Sequence, residues 1–142
     1  MAAEALMHVR DGMSTEVLTI EPTRTLREAA ALMARRHIGA SVVLDPARSA
    51  ICILTERDIL DAIGAGADPD AELAGTHATC DLVVASREWS LEQAAAAMVR
   101  GGFRHLVVLE DDQVAGILAM RDIVRCWVRN QVAPPRPTAT VP

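Results

Sequence analysis

The chain has 142 residues, of which 51% are hydrophobic and 2% aromatic, and its formal net charge is −5. That balance argues against a basic surface for duplex nucleic acid, and the missing Tyr and single Phe remove the stacking platforms of single-strand binders. Cys52, Cys80 and Cys126 are widely spaced, odd in number and form no CxxC pair. They predict free thiols, no disulfide framework, and a reducing cytoplasm. Met1–Arg10 carries Glu4 and no long apolar run, so no secretory signal is expected. No apolar stretch reaches the roughly 18 residues that a membrane span requires.

The predicted elements begin with a short helix over Glu4–Asp11 and a strand over Val17–Ile20. A helix follows, with Thr25 and Glu28 spaced as a capping box and Leu26, Ala29, Ala30 and Met33 on one face. Two strands come next, Ser41–Leu44 and Ala50–Leu54, joined by an Asp45-Pro46-Ala47-Arg48-Ser49 turn, then a helix from Glu56 to about Ile63. Gly64–Thr76 reads as a connector, with a turn of helix near Asp70–Ala74.

The pattern then recurs. At an offset of 65, Leu26, Met33 and Val42-Val43-Leu44 meet Leu91, Met98 and Val107-Val108-Leu109. A one-residue deletion in the turn changes the offset to 64, and Arg57-Asp58-Ile59 then meets Arg121-Asp122-Ile123. The second copy reads as a strand at Leu82–Ala85, a Ser90/Gln93-capped helix, strands Leu106–Leu109 and Gln113–Leu118, and a helix from Met120 to about Val132. The expected fold is α/β (α+β), two tandem βαββα repeats packed with pseudo-two-fold symmetry. Repeat 1 spans 8–64, a linker 65–76 and repeat 2 77–132. Residues 133–142 form a disordered, proline-rich tail.

The chemistry concentrates at Thr55-Glu56-Arg57-Asp58, where a strand ends and a helix starts. Free N–H groups, the positive end of the helix dipole and the Thr55 hydroxyl favour a phosphate there. The Asp58 carboxylate can accept two bonds from a vicinal diol, and Arg57 can offset its charge. The same four residues also make an ordinary helix cap. His77 and Cys80 form a His-x-x-Cys pair without a second pair nearby, so no metal is assigned. No nucleophile, base and acid constellation appears, and no catalysis is expected.

Thr55-Glu56-Arg57-Asp58-Ile59, His37-Ile38-Gly39-Ala40-Ser41-Val42-Val43, Val9-Arg10-Asp11-Gly12-Met13-Ser14, Phe103-Arg104-His105-Leu106-Val107-Val108 and Gly116-Ile117-Leu118 followed by Arg121-Asp122-Ile123 together resemble the CBS domain, twice over. The resemblance covers about residues 8–130 and departs from the family at Leu106-Val107, Cys52 and Ala119. It implies a stand-alone CBS pair (Bateman module) that acts as a regulatory sensor. Its ligand would be AMP, ADP or ATP, with S-adenosylmethionine or NAD as further candidates, and no cofactor is required. The ligand would sit in clefts where the repeats meet. The first cleft would use Thr55, Asp58, Arg57, Thr19, Ile20, Ile38 and Ala40. A weaker second cleft would use Asp122, Arg121, Arg104 and His105, because Ala119 stands where Thr55 does in the first. His105, just before an apolar strand, reads more readily as a cleft-lining or structural histidine than as a ligand contact. The resemblance also implies a homodimer and a protein partner in trans, with no nucleic acid and no membrane. The alternative is a ligand-free dimeric interaction module with degenerate clefts, which Cys52 and Ala119 favour.

Overall fold

The computed structural model describes residues 7–130; the stretch 133–142, read as a tail, lies outside the described residues. In chain order the elements are α1 (Val9–Gly12), β1 (Thr19–Ile20), α2 (Leu26–Arg35), β2 (Ala40–Asp45), β3 (Ala50–Thr55), α3 (Glu56–Gly64), α4 (Ala74–His77), β4 (Val84–Ser86), α5 (Leu91–Gly101), β5 (His105–Glu110), β6 (Gln113–Ala119) and α6 (Met120–Arg129). The β-α-β-β-α order therefore occurs twice. Of the lead-in helix expected over Glu4–Asp11, residues 4–6 lie outside the described residues, and the described helix runs Val9–Gly12. The connector helix begins at Ala74, beyond a turn around residues 69–71.

Each repeat builds a three-stranded sheet, β1-β2-β3 and β4-β5-β6, with one parallel and one antiparallel pair. The parallel registers match at the offset of 65: Thr19 faces Val42, and Val84 faces Val107. The hairpins differ. Asp45 pairs with Ala50 across a four-residue loop, whereas Glu110 pairs with Gln113 across Asp111-Asp112. Both of those aspartates have positive φ, 52° and 62°, as a primed two-residue hairpin turn demands. A register shift after Val108 then leaves Ala115 as the extra residue of a bulge. The apparent one-residue deletion is thus a loop shorter by two residues and a strand longer by one.

Two compact units emerge, one over Glu16–Val83 (the first unit) and one formed by the chain up to Thr15 with the chain from Val84 (the second unit). They do not follow the repeat boundaries. The lead-in helix α1 packs on α6 of the second unit, and its counterpart α4 packs on α3 and β2 of the first. Each sheet is completed by the lead-in of the other repeat.

The cores are aliphatic and match position by position. Leu26, Ala29, Met33, Val43, Leu54 and Ile59 fill the first; Leu91, Ala94, Met98, Val108, Leu118 and Ile123 fill the second. Alanines on α2 and α5 let those helices lie close to their sheets. Ser90 and Gln93 form a reciprocal capping box, at 3.0 and 2.9 Å. Thr25 accepts from the Glu28 N–H at 3.1 Å, while the Glu28 carboxylate turns to Arg24 at 2.8 Å. After α5, Gly102 adopts φ 70° to end the helix; after α2 the same step is taken by His37 at φ 53°.

Candidate functional site

The site grows from the β3–α3 junction. The ladder places Ala40 opposite Thr55, and the Glu56 N–H donates to the Gly39 carbonyl at 2.8 Å, so β2 and the helix start are joined directly. Thr55 caps α3. Its hydroxyl accepts from the Asp58 N–H at 3.2 Å, and Asp58 Oδ2 accepts from the Thr55 N–H at 2.8 Å. The cap and the candidate binding pair are the same residues. The carboxylate is fixed through one oxygen, which leaves Oδ1 outside that bond, and the Thr55 hydroxyl retains its proton for a further acceptor.

The other first-cleft candidates fall differently. Thr19 is exposed on β1, Ile38 is half-buried against the core, and Ala40 is buried. The Ile20 side chain is committed to the core, leaving its backbone as the part that can meet a ligand. Arg57 does not approach Asp58. Its Nε sits 3.1 Å from Asp61 on the exposed face of α3.

The β6–α6 junction repeats this geometry with one part missing. His105 faces Ala119, the Met120 N–H donates to the Arg104 carbonyl at 2.8 Å, and Asp122 Oδ2 accepts from the Ala119 N–H at 2.8 Å. Ala119 supplies no hydroxyl. Asp122 Oδ1 has Arg125 at 3.6 Å, at the position held by Asp61 in the first unit. The second carboxylate is therefore partly neutralised by a cation of its own helix. Arg104 and Arg121 are exposed and His105 is half-buried.

The cysteines overturn the expectation of free thiols: Cys52 and Cys80 form a disulfide. Proximity explains it. The chain after α4 crosses the edge of β3, where Ile53 and Thr79 exchange two backbone hydrogen bonds of 2.9 and 2.8 Å. The second unit has the same crossing, between Ser14 and Ile117, at 2.9 and 3.0 Å. The neighbour of that crossing on β6 is Gly116, where a Cβ would stand 2.5 Å from the Ser14 carbonyl oxygen. At the matching place β3 carries Cys52, and its side chain is bonded to Cys80. Superposing the two repeats in sequence puts Cys52 on Gly116 and Cys80 on Thr15; the signal needed was the crossing, which only the fold reveals. With a disulfide present, the three cysteines do not place the chain in a reducing compartment. His77 is not drawn to Cys80; its Nε2 lies 3.3 Å from Glu72. Among the described residues no cluster of three or more His, Cys, Asp or Glu could hold a metal ion. Cys126 stays a buried thiol, and burial pushes its pKa up.

Both helices that start at these junctions carry exposed apolar residues at matching positions, Leu60 and Ile63 on α3 and Val124 and Trp127 on α6, with Val128 beside them. No helix among the described residues is long and apolar enough to cross a membrane.

Against known proteins, the CBS domain profile matches residues 6–65 and 74–129. The CBS domain-containing protein YhcV of Bacillus subtilis is 32% identical over 88% of this chain and 89% of its own. The CBS-domain containing protein ATU1752 of Agrobacterium tumefaciens superposes with a TM-score of 0.76 at 28% identity, over 88% of this chain and 97% of that one. The CBS domain pair of protein MJ0100, solved in complex with 5′-methylthioadenosine and S-adenosyl-L-methionine, shares the fold at a TM-score of 0.76 and 20% identity, over 89% of this chain and 99% of that one.

Proposed function

This chain belongs to the CBS-domain family, with one domain in each repeat, and we propose that it is a non-catalytic regulatory module that binds an adenosine-containing nucleotide at the β3–α3 junction. One observation carries the reading. The Thr55 hydroxyl and the Asp58 carboxylate are held together at a helix start by two reciprocal hydrogen bonds. The helix start favours a phosphate, and the fixed carboxylate suits a ribose diol. AMP, ADP and ATP present both groups. S-adenosylmethionine presents the diol without the phosphate, and NAD presents both on a larger frame. The complex of the MJ0100 pair with two adenosine compounds supports this ligand class.

The β6–α6 junction is the weaker site in this reading, since Ala119 lacks the hydroxyl and Arg125 already occupies Asp122. The exposed apolar pairs on α3 and α6 support a homodimer, and the signal would pass to a protein partner in trans as a change in dimer geometry or affinity.

A thermal-shift panel with AMP, ADP, ATP, NAD and S-adenosylmethionine tests the ligand. At one hundred times its dissociation constant a ligand stabilises by about 2.7 kcal/mol, which moves the midpoint by several degrees. Asp58→Asn keeps an acceptor for the Thr55 N–H and removes the charge, so it should abolish the shift while leaving the unligated midpoint in place. No shift from any of the five at millimolar concentration would remove the nucleotide reading.

A further inference from the structure

We propose that the Cys52–Cys80 disulfide is a reversible lock. It clamps the segment after α4 across the edge of β3, and its redox state sets the behaviour of the β3–α3 junction. The last part rests on the nucleotide reading above; the lock does not.

Three observations carry it. First, the clamp stands where the second unit carries a glycine. In the second unit a Cβ at Gly116 would collide with the backbone that crosses it, at 2.5 Å. In the first unit Cys52 fits beneath the same crossing because its sulfur is bonded to the crossing chain. Reduction replaces that bond with two thiols, which repel at bonded separation. The crossing segment must then retreat from β3 and loosen the Ile53–Thr79 pair. Second, the two sulfurs are unequal. Cys52 is 1% exposed, whereas Cys80 is only half-buried, so an outside thiolate can reach Cys80. Third, Arg48 Nη1 lies 3.9 Å from Cys80 Sγ. A cation beside a sulfur stabilises the thiolate form that leaves during reduction and attacks during reoxidation. Cys52 also sits three residues before Thr55 on the same strand, so a shift of β3 is carried to the cap.

The exchange uses two glutathione thiols as reductant. The first thiolate attacks Cys80 Sγ, forming a mixed disulfide and releasing Cys52 as a thiolate, which takes a proton. The second thiolate of the reductant then displaces Cys80, which leaves as a thiolate and is protonated. Two electrons and two protons pass to the protein, and the reductant leaves as its disulfide. A glutathione-type disulfide runs the sequence backwards.

The test uses the full chain in buffers running from oxidised to reduced glutathione. Alkylation followed by mass measurement counts thiols, and hydrogen exchange reports the Thr79 amide, which donates to the Ile53 carbonyl. The lock predicts release of two thiols within the glutathione range and Thr79 exchange at least about tenfold faster in the reduced protein. Cys80→Ser should exchange fast in every buffer. Cys52→Gly, which copies Gly116, should exchange slowly in every buffer. Arg48→Ala should slow the release of thiols. Titration with AMP and with ATP should give affinities that differ about fivefold between the two states of the wild type and agree in Cys80→Ser. A disulfide that resists glutathione until the protein is unfolded overturns the lock, as does Thr79 protection that is the same in both states. If Thr79 follows the redox state but neither nucleotide binds in either state, the nucleotide reading falls and the lock stands.

Discussion

The two units are built from the same elements with the same parallel register, yet they close the same seam differently. In the second, Gly116 lets the Ser14 backbone lie against β6, with the Met13 side chain packed beside it. In the first, Cys52 takes that space and is bonded to the crossing strand. The junctions also differ, Thr55 with Asp58 against Ala119 with Asp122 and Arg125. A duplicated fold can therefore keep its core and vary the few positions at the helix start and at the seam. The core is constrained by packing from all sides; the junction and the seam are held by a few hydrogen bonds each.

The strongest check on the equivalence of the cores is a paired truncation. Leu54→Ala and Leu118→Ala remove matching, fully buried side chains. Each should cost about 3–4 kcal/mol in urea unfolding, and a gap between them of more than about 1 kcal/mol would show that the two cores are packed differently. Next in size is the clamp. Its removal in Cys80→Ser should lower stability by about 3 kcal/mol under oxidising conditions and change little under reducing ones. A loss of equal size in both would mean that Cys80 contributes by packing and not by its bond. Gly116→Ala should destabilise by about 1–3 kcal/mol, since the added methyl group meets backbone that cannot easily retreat; a neutral result would mean that the two crossings tolerate side chains alike.

The junctions can be exchanged. Thr55→Ala should cost about 1 kcal/mol of stability and weaken nucleotide binding, whereas Ala119→Thr should gain about 1 kcal/mol and strengthen binding at the second junction. Unchanged binding in both variants would separate the cap from the ligand. The smallest effect concerns acid. Arg27 in the first unit pairs with Asp70, and this pairing holds the Asp70 carboxyl below its usual range; Glu92 stands at the matching position in the second unit. A lowered carboxylate pKa contributes stability at neutral pH that disappears as pH falls through the folded value, below about pH 4. The midpoint difference between wild type and Arg27→Gln should therefore be present at pH 7 and vanish in strong acid.

Much of the fold was legible because local chemistry and periodicity agreed. The Leu-Ala-Ala-Met stripes, the cap residues and the Val-Val-Leu runs each name an element, and their double occurrence names the repeat. The Thr55–Asp58 pair was legible for the same reason: a cap is a local motif, and its binding reading comes with it. The outward turn of Arg57 follows from its i, i+4 spacing to Asp61, which a helix places on one exposed face. The hairpin difference was half legible. The sequence shows one residue fewer, while the bulge at Ala115 appears only when the two strands are paired. The disulfide was not legible, because cysteine spacing says nothing about a chain that returns across a strand edge.

The sequence by itself determined the elements, their order, the duplication and the two capped junctions, since each depends on residues within a few positions of one another. The tertiary structure decided which lead-in helix completes which sheet, and so brought Cys80 to Cys52 across a sequence separation of 28. That choice depends on which apolar faces bury one another, a property of the folded chain that no local window contains.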